Sequence, residues 1–107
     1  MIRQISAAEL NQRLADGGNA PLLLDVREPR EFDYCRIEGS VSIPLGTLPA
    51  RAAELPDDRE IVAICHHGAR SLQAAAFLQQ SHGLDVINLQ GGVAAWADQV
   101  DPGMRRY

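Results

Sequence analysis

Three apolar runs constrain this chain more than any other feature: "PLLLDV" at residues 21–26, "EIVAIC" at 60–65 and "DVINL" at 85–89. The first is continuous where a half-exposed strand would alternate, and it is bounded by Pro21 and by charges. Strands of that kind are covered on both faces, as in parallel sheets flanked by helices. Helical patterns stand between them. "SAAE", Ser6 to Glu9, reads as a capping box, with Leu10 and Leu14 continuing one face and Gly17 and Gly18 ending it. "SLQAAAFLQQSHG", Ser71 to Gly83, is the strongest helix, with Leu72, Ala75, Ala76 and Leu78 as apolar positions and Gly83 just past its end. "GGVAAWADQV" closes the series, with Trp96 expected in the core. Weaker pieces fill the gaps. "EPREFDYC" is a turn or short helix started by Pro29, "SVSIPL" at 40–45 a short strand stopped by Pro44, and "LGTLPARAAEL" a helical piece interrupted by Pro49. Strands alternating with helices predict an α/β fold with a mostly parallel sheet. With 107 residues and no repeat or long linker, residues 1–107 are expected to form one domain.

In open α/β sheets, sites form beyond the carboxyl ends of the strands. Asp25 and Arg27, Cys65, and Gly91 and Gly92 all fall there and are expected to converge on one sheet edge. Charge narrows what could bind. A net charge of −4 gives no basic stripe for nucleic acid and no attraction to anionic lipid. No apolar run approaches the ~20 residues of a membrane span, and "MIRQISAAELNQRL" has no apolar core of a signal peptide. Two cysteines do not make a disulfide scaffold. The expectation is a soluble, cytoplasmic protein.

The loop "CHHGARS", Cys65 to Ser71, lies between a strand and a helix. A helix N-terminus presents unpaired N–H groups and partial positive charge, and a tight loop before it turns further amides inward. Gly68 permits such a curl. A cysteine in this cradle, with Arg70 nearby, is favoured as thiolate, the reactive form. The competing reading is a buried structural cysteine. Two chemistries use such a cradle. Cysteine phosphatases and arsenate reductases space cysteine and arginine as C-x5-R, around a tetrahedral oxyanion. Here the spacing is C-x4-R, from Cys65 to Arg70. The smaller bowl suits one extra sulfur atom.

Four stretches, in order, resemble the single-domain rhodanese family of sulfurtransferases: "LLLDVREPREF", "RIEGSVSIPL", "CHHGARS" and "NLQGGVAAW". The ending "VDPGMRRY" resembles the tails of rhodanese domains attached to ubiquitin-activating-like enzymes that handle sulfur carriers. The resemblance implies a three-layer fold, about five strands with helices on both faces. It implies that Cys65 takes a sulfane sulfur from a donor such as thiosulfate or a persulfide, and that a thiol, a sulfur-carrier protein or cyanide then removes it. It implies a persulfide-binding loop of His66, His67, Gly68, Ala69 and Arg70, with no metal and no cofactor. Asp25 and Arg27 resemble an ion pair supporting that loop, alongside Ser71. The chain departs from the family where Cys35-Arg36 replaces the usual Gly-His and Ser40 the usual alanine.

Several residues keep two readings each. Arg70 either binds the sulfonate of an anionic donor or pairs with a carboxylate to shape the loop. His66 and His67 either tune the donor site or lend only their backbone amides. Cys35 is either a resolving thiol or a small apolar filler. A metal site from Cys65, His67 and Cys35 lacks the usual ligand spacing.

Overall fold

The computed structural model describes residues 2–107. Five strands form one sheet: β1 (Arg3–Ile5), β2 (Leu22–Asp25), β3 (Val41–Ser42), β4 (Ile61–Ile64) and β5 (Val86–Leu89). Their order is β1-β5-β4-β2-β3, and every pairing is parallel. All the carboxyl ends therefore face one edge, which gathers the chemistry-bearing residues there.

Five helices connect them: α1 (Ala7–Ala15), α2 (Pro29–Tyr34), α3 (Leu48–Arg51), α4 (Ala69–His82) and α5 (Gly92–Gln99). Ser6 caps α1, with its side chain accepting from the Glu9 amide and the Glu9 side chain accepting from the Ser6 amide, as the sequence predicts. Pro29 starts α2, where its missing N–H costs nothing. Pro49 does not interrupt a helix but lies in the first turn of α3, which is flanked by 3-10 turns at Leu45–Thr47 and Ala52–Glu54.

The sheet divides two cores. On one side Leu24, Val26, Ile61, Ala63, Cys65 and Val86 meet α3 and α4 through Leu48, Ala74, Ala75 and Leu78. On the other, Leu23, Val62, Ile64, Ile87 and Leu89 meet α1 and α5 through Ala7, Leu10, Val93 and Trp96. Side chains alternate along β4, so Ile64 faces α5 and Cys65 faces α4. The sequence patterns leave β1 unread, and two details of α4 differ from the expectation. β1 has no apolar run; it is held by pairing Arg3 with Ile87 and Ile5 with Leu89. The α4 helix begins at Ala69, two residues before Ser71, because Gly68 caps it. Its buried face runs through Ala74, Ala75 and Leu78, which leaves Leu72 exposed.

Candidate active site

Cys65 is the first residue past β4 and is buried. Its Sγ accepts hydrogen bonds from the Gly68 amide at 3.0 Å and from the Ser71 hydroxyl at 3.3 Å. The first curls back over the sulfur because Gly68 adopts φ +112°, open to glycine and strained for other residues. The Ser71 hydroxyl also lies within reach of the Gly68 carbonyl and the Asn88 Oδ1. It has one proton, so it serves the sulfur or the amide oxygen, not both at once. Asn88 is held in turn by donating to Gln4 Oε1 and the Gly68 carbonyl.

The back of the loop rests on α5. The Val93 amide donates to the Cys65 carbonyl at 2.9 Å, and the Ala94 amide to the His66 carbonyl at 3.1 Å. Gly92 is what allows this approach: a Cβ there would sit 2.2 Å from the Cys65 carbonyl oxygen. With two carbonyls turned towards α5, the Gly68 amide is left to face the sulfur from the α4 side.

Arg70 takes the second of its two readings in this structure. Its Nη1 and Nη2 donate to Glu31 Oε1 and Oε2 at 2.7 and 3.0 Å. This pairing raises the guanidinium above its ordinary value and holds the Glu31 carboxyl down to about 2. His66 is half-buried, with its ring stacked on Tyr107 at 3.9 Å and 15° and beside His67 at 3.9 Å. Burial, then the neighbouring His67, holds its imidazolium below the ordinary range. His67 and Ala69 are exposed.

Asp25 and Arg27 form a fully buried ion pair, with Arg27 Nη2 2.7 Å from Asp25 Oδ2. It makes no hydrogen bond to residues 66–70. Arg27 instead donates to the Cys35 carbonyl at 2.6 Å and to the Tyr107 hydroxyl at 2.9 Å, with Nη1 3.7 Å from the Cys35 sulfur. Burial works against the Arg27 cation, but the hydrogen bonds to Asp25 and Tyr107 outweigh it and raise the group. Cys35 has φ −159°, extended backbone that any residue adopts, so the cysteine replaces glycine here without strain. It lines a cleft with His66, His67, Val93, Arg105 and Tyr107, and both cysteines are free thiols.

Glu31, Asn88 and Tyr107 were not anticipated. Asn88 did leave a signal, since a polar residue inside the otherwise apolar "DVINL" must find a partner when buried. Among the described residues, no three His, Cys, Asp or Glu side chains are grouped to hold a metal ion. Nor is any helix among them long and apolar enough to cross a membrane.

The rhodanese-like domain family matches residues 6–99. A protein named sulfurtransferase from Allochromatium vinosum is 42% identical, over 91% of this chain and 90% of its own length. The adenylyltransferase and sulfurtransferase uba4 of Neosartorya fischeri is 32% identical over 97% of this chain, which spans only 29% of that protein. Among solved structures, a rhodanese-related protein from Thermoplasma volcanium superposes with a TM-score of 0.83 at 36% identity, covering 92% of this chain and 93% of that one.

Proposed function

Because this chain belongs to the rhodanese-like domain family and is a sulfurtransferase of it, we propose that it carries sulfur as a persulfide on Cys65. The observation that carries this is the Cys65 sulfur at the N-terminus of α4, with the Gly68 amide at 3.0 Å and the Ser71 hydroxyl at 3.3 Å. The Gly68 amide stabilises negative charge on sulfur before a substrate arrives, and the Ser71 hydroxyl adds to it when its one proton turns from Asn88 to the sulfur.

The Cys65 thiolate attacks the outer sulfur of thiosulfate or of a persulfide donor. The donor S–S bond breaks, and sulfite or a thiolate leaves with the electron pair. An acceptor thiolate then attacks the outer sulfur of the Cys65 persulfide, becomes a persulfide itself and returns the Cys65 thiolate. Cyanide in the same role leaves as thiocyanate. This is two-step covalent catalysis. The amides of His66, His67, Gly68, Ala69 and Arg70 form the bowl around the outer sulfur. Ser71 steadies the anion, and Asp25 and Arg27 support the surroundings through Cys35 and Tyr107. No metal or cofactor enters the cycle. The acceptor is a small thiol or a sulfur-carrier protein, and residues 1–107 act as one domain. Two unpaired cysteines suit a reducing cytoplasm.

Intact mass after thiosulfate treatment tests this reading. The expected result is a gain of one sulfur, removed by cyanide or dithiothreitol and absent from a folded Cys65→Ala protein. Retention of most of the thiosulfate:cyanide activity by Cys65→Ala would sink it.

A further inference from the structure

Arg70 is the cation nearest the bowl in sequence, yet a carboxylate already occupies it. Both terminal nitrogens of its guanidinium are engaged by Glu31, so an incoming sulfonate meets a neutral pair and not a bare charge. The carboxylate is fixed from every side. Oε1 also accepts from the Glu28 amide at 3.0 Å, and Oε2 from the Tyr107 hydroxyl at 2.7 Å. Tyr107 is itself anchored by Arg27 and by its stack on His66. Burial and the Glu31 hydrogen bond, against the pull of Arg27, push its hydroxyl up to about 12, so it remains a donor to Glu31. On its other side, Arg70 borders a groove that also contains Glu28, Gln73 and Phe77. The formal charge of Arg70, Glu31 and Glu28 together is negative.

We propose that Glu31, oriented by Tyr107, is a specificity residue of the Cys65 site. It neutralises Arg70 and thereby disfavours doubly charged inorganic donors relative to organic persulfides of lower charge. The proposal rests on Cys65 being the sulfur-accepting nucleophile. To use Arg70, a thiosulfate dianion must break two charge-assisted hydrogen bonds and approach a carboxylate; a persulfide with no more than a single charge pays far less for the same approach. Gln at position 31 keeps the shape and removes the charge; its single carbonyl oxygen can accept from the Glu28 amide or from the Tyr107 hydroxyl, and its amide nitrogen accepts from neither.

The test is the rate at which Cys65 gains a sulfur, followed by intact mass, with thiosulfate and with ethyl persulfide as donors. Glu31→Gln is expected to speed loading from thiosulfate by about five- to tenfold and from ethyl persulfide by less than about twofold, with the difference shrinking as salt is added. Tyr107→Phe keeps the stack on His66 but leaves Glu31 Oε2 with Arg70 as its one remaining donor. It is expected to shift the ratio of the two rates in the same direction by about two- to threefold. Equal slowing of both donors in Glu31→Gln, or an unchanged ratio in both variants, overturns the proposal and leaves Glu31 a structural partner of Arg70. Failure of the parent protein to gain sulfur on Cys65 from either donor would remove the nucleophile reading itself, and the proposal with it.

Discussion

Two polar clusters are buried at the same edge of the sheet, on opposite faces, and they are built from opposite materials. On the α4 face, Cys65 is surrounded by neutral groups: an amide, the Ser71 hydroxyl and the Asn88 carboxamide. On the other, Asp25 and Arg27 bring full charges into the interior and cancel them against each other. The neutral cluster directs donors at one atom, so a charge arriving there finds partners already aligned. The charged cluster has nothing left to offer a ligand, because its donors go to Asp25, Cys35, Glu31 and Tyr107. Burying charge here serves architecture, and burying dipoles serves chemistry.

The largest expected effect separates the two through stability. Arg27→Met leaves the buried Asp25 carboxyl without its cation, and is expected to cost about 3–5 kcal/mol. Joint replacement, Asp25→Asn with Arg27→Met, should recover much of that. Urea denaturation of the singles and the double measures both. A loss below about 1 kcal/mol in Arg27→Met would erase the contrast.

Ser71→Ala should behave in the reverse way. Gly68 still holds the sulfur, and the Gly68 carbonyl keeps Asn88 as a partner. The stability cost is therefore expected near 1 kcal/mol, while sulfur loading on Cys65 slows about tenfold, the loss of one hydrogen bond to an anion. Unchanged loading in a folded Ser71→Ala protein would mean that the hydroxyl serves Asn88 alone.

The smallest effect lies at the half-buried Glu31, which is held by Tyr107 and Arg70. Its folded pKa, near 2, is below its ordinary 4.5. The folded state thus prefers the ionised form. The resulting stabilisation is present above about pH 4.5 and is lost as the pH falls towards 2. Over that window, Glu31→Gln should give a shallower decline in stability than the parent, read by thermal unfolding at stepped pH. Parallel curves would show that the pairing with Arg70 contributes nothing measurable.

Sequence and structure agree where the signal is local. The three apolar runs, the Ser6 capping box and the Gly68 curl depend on residues a few positions apart, and their physics is short-range. The strand β1 depends on pairing with β5, more than eighty residues away, and "RQI" carries no pattern of its own. Arg70 shows the same limit within the site. That it would pair with a carboxylate was one of two open readings, but which carboxylate depends on where α2 docks, and Glu31 is 39 positions away. Leu72 is an apolar position of α4 by sequence, but the docking of the helix buries Ser71, Ala74, Ala75 and Leu78 and leaves Leu72 exposed. The Asp25–Arg27 pair was legible as a pair; its partners Cys35 and Tyr107 were not, since only the folded chain brings residues 25, 35 and 107 together.

The bare backbone at Gly92 also orders events in time. The cysteine strand is made before the two amides that take up the Cys65 and His66 carbonyls, which belong to helix α5, nearly thirty residues later. Until α5 has docked, those carbonyls lack these two partners. A growing chain thus carries its thiol well before it carries the shape that activates it.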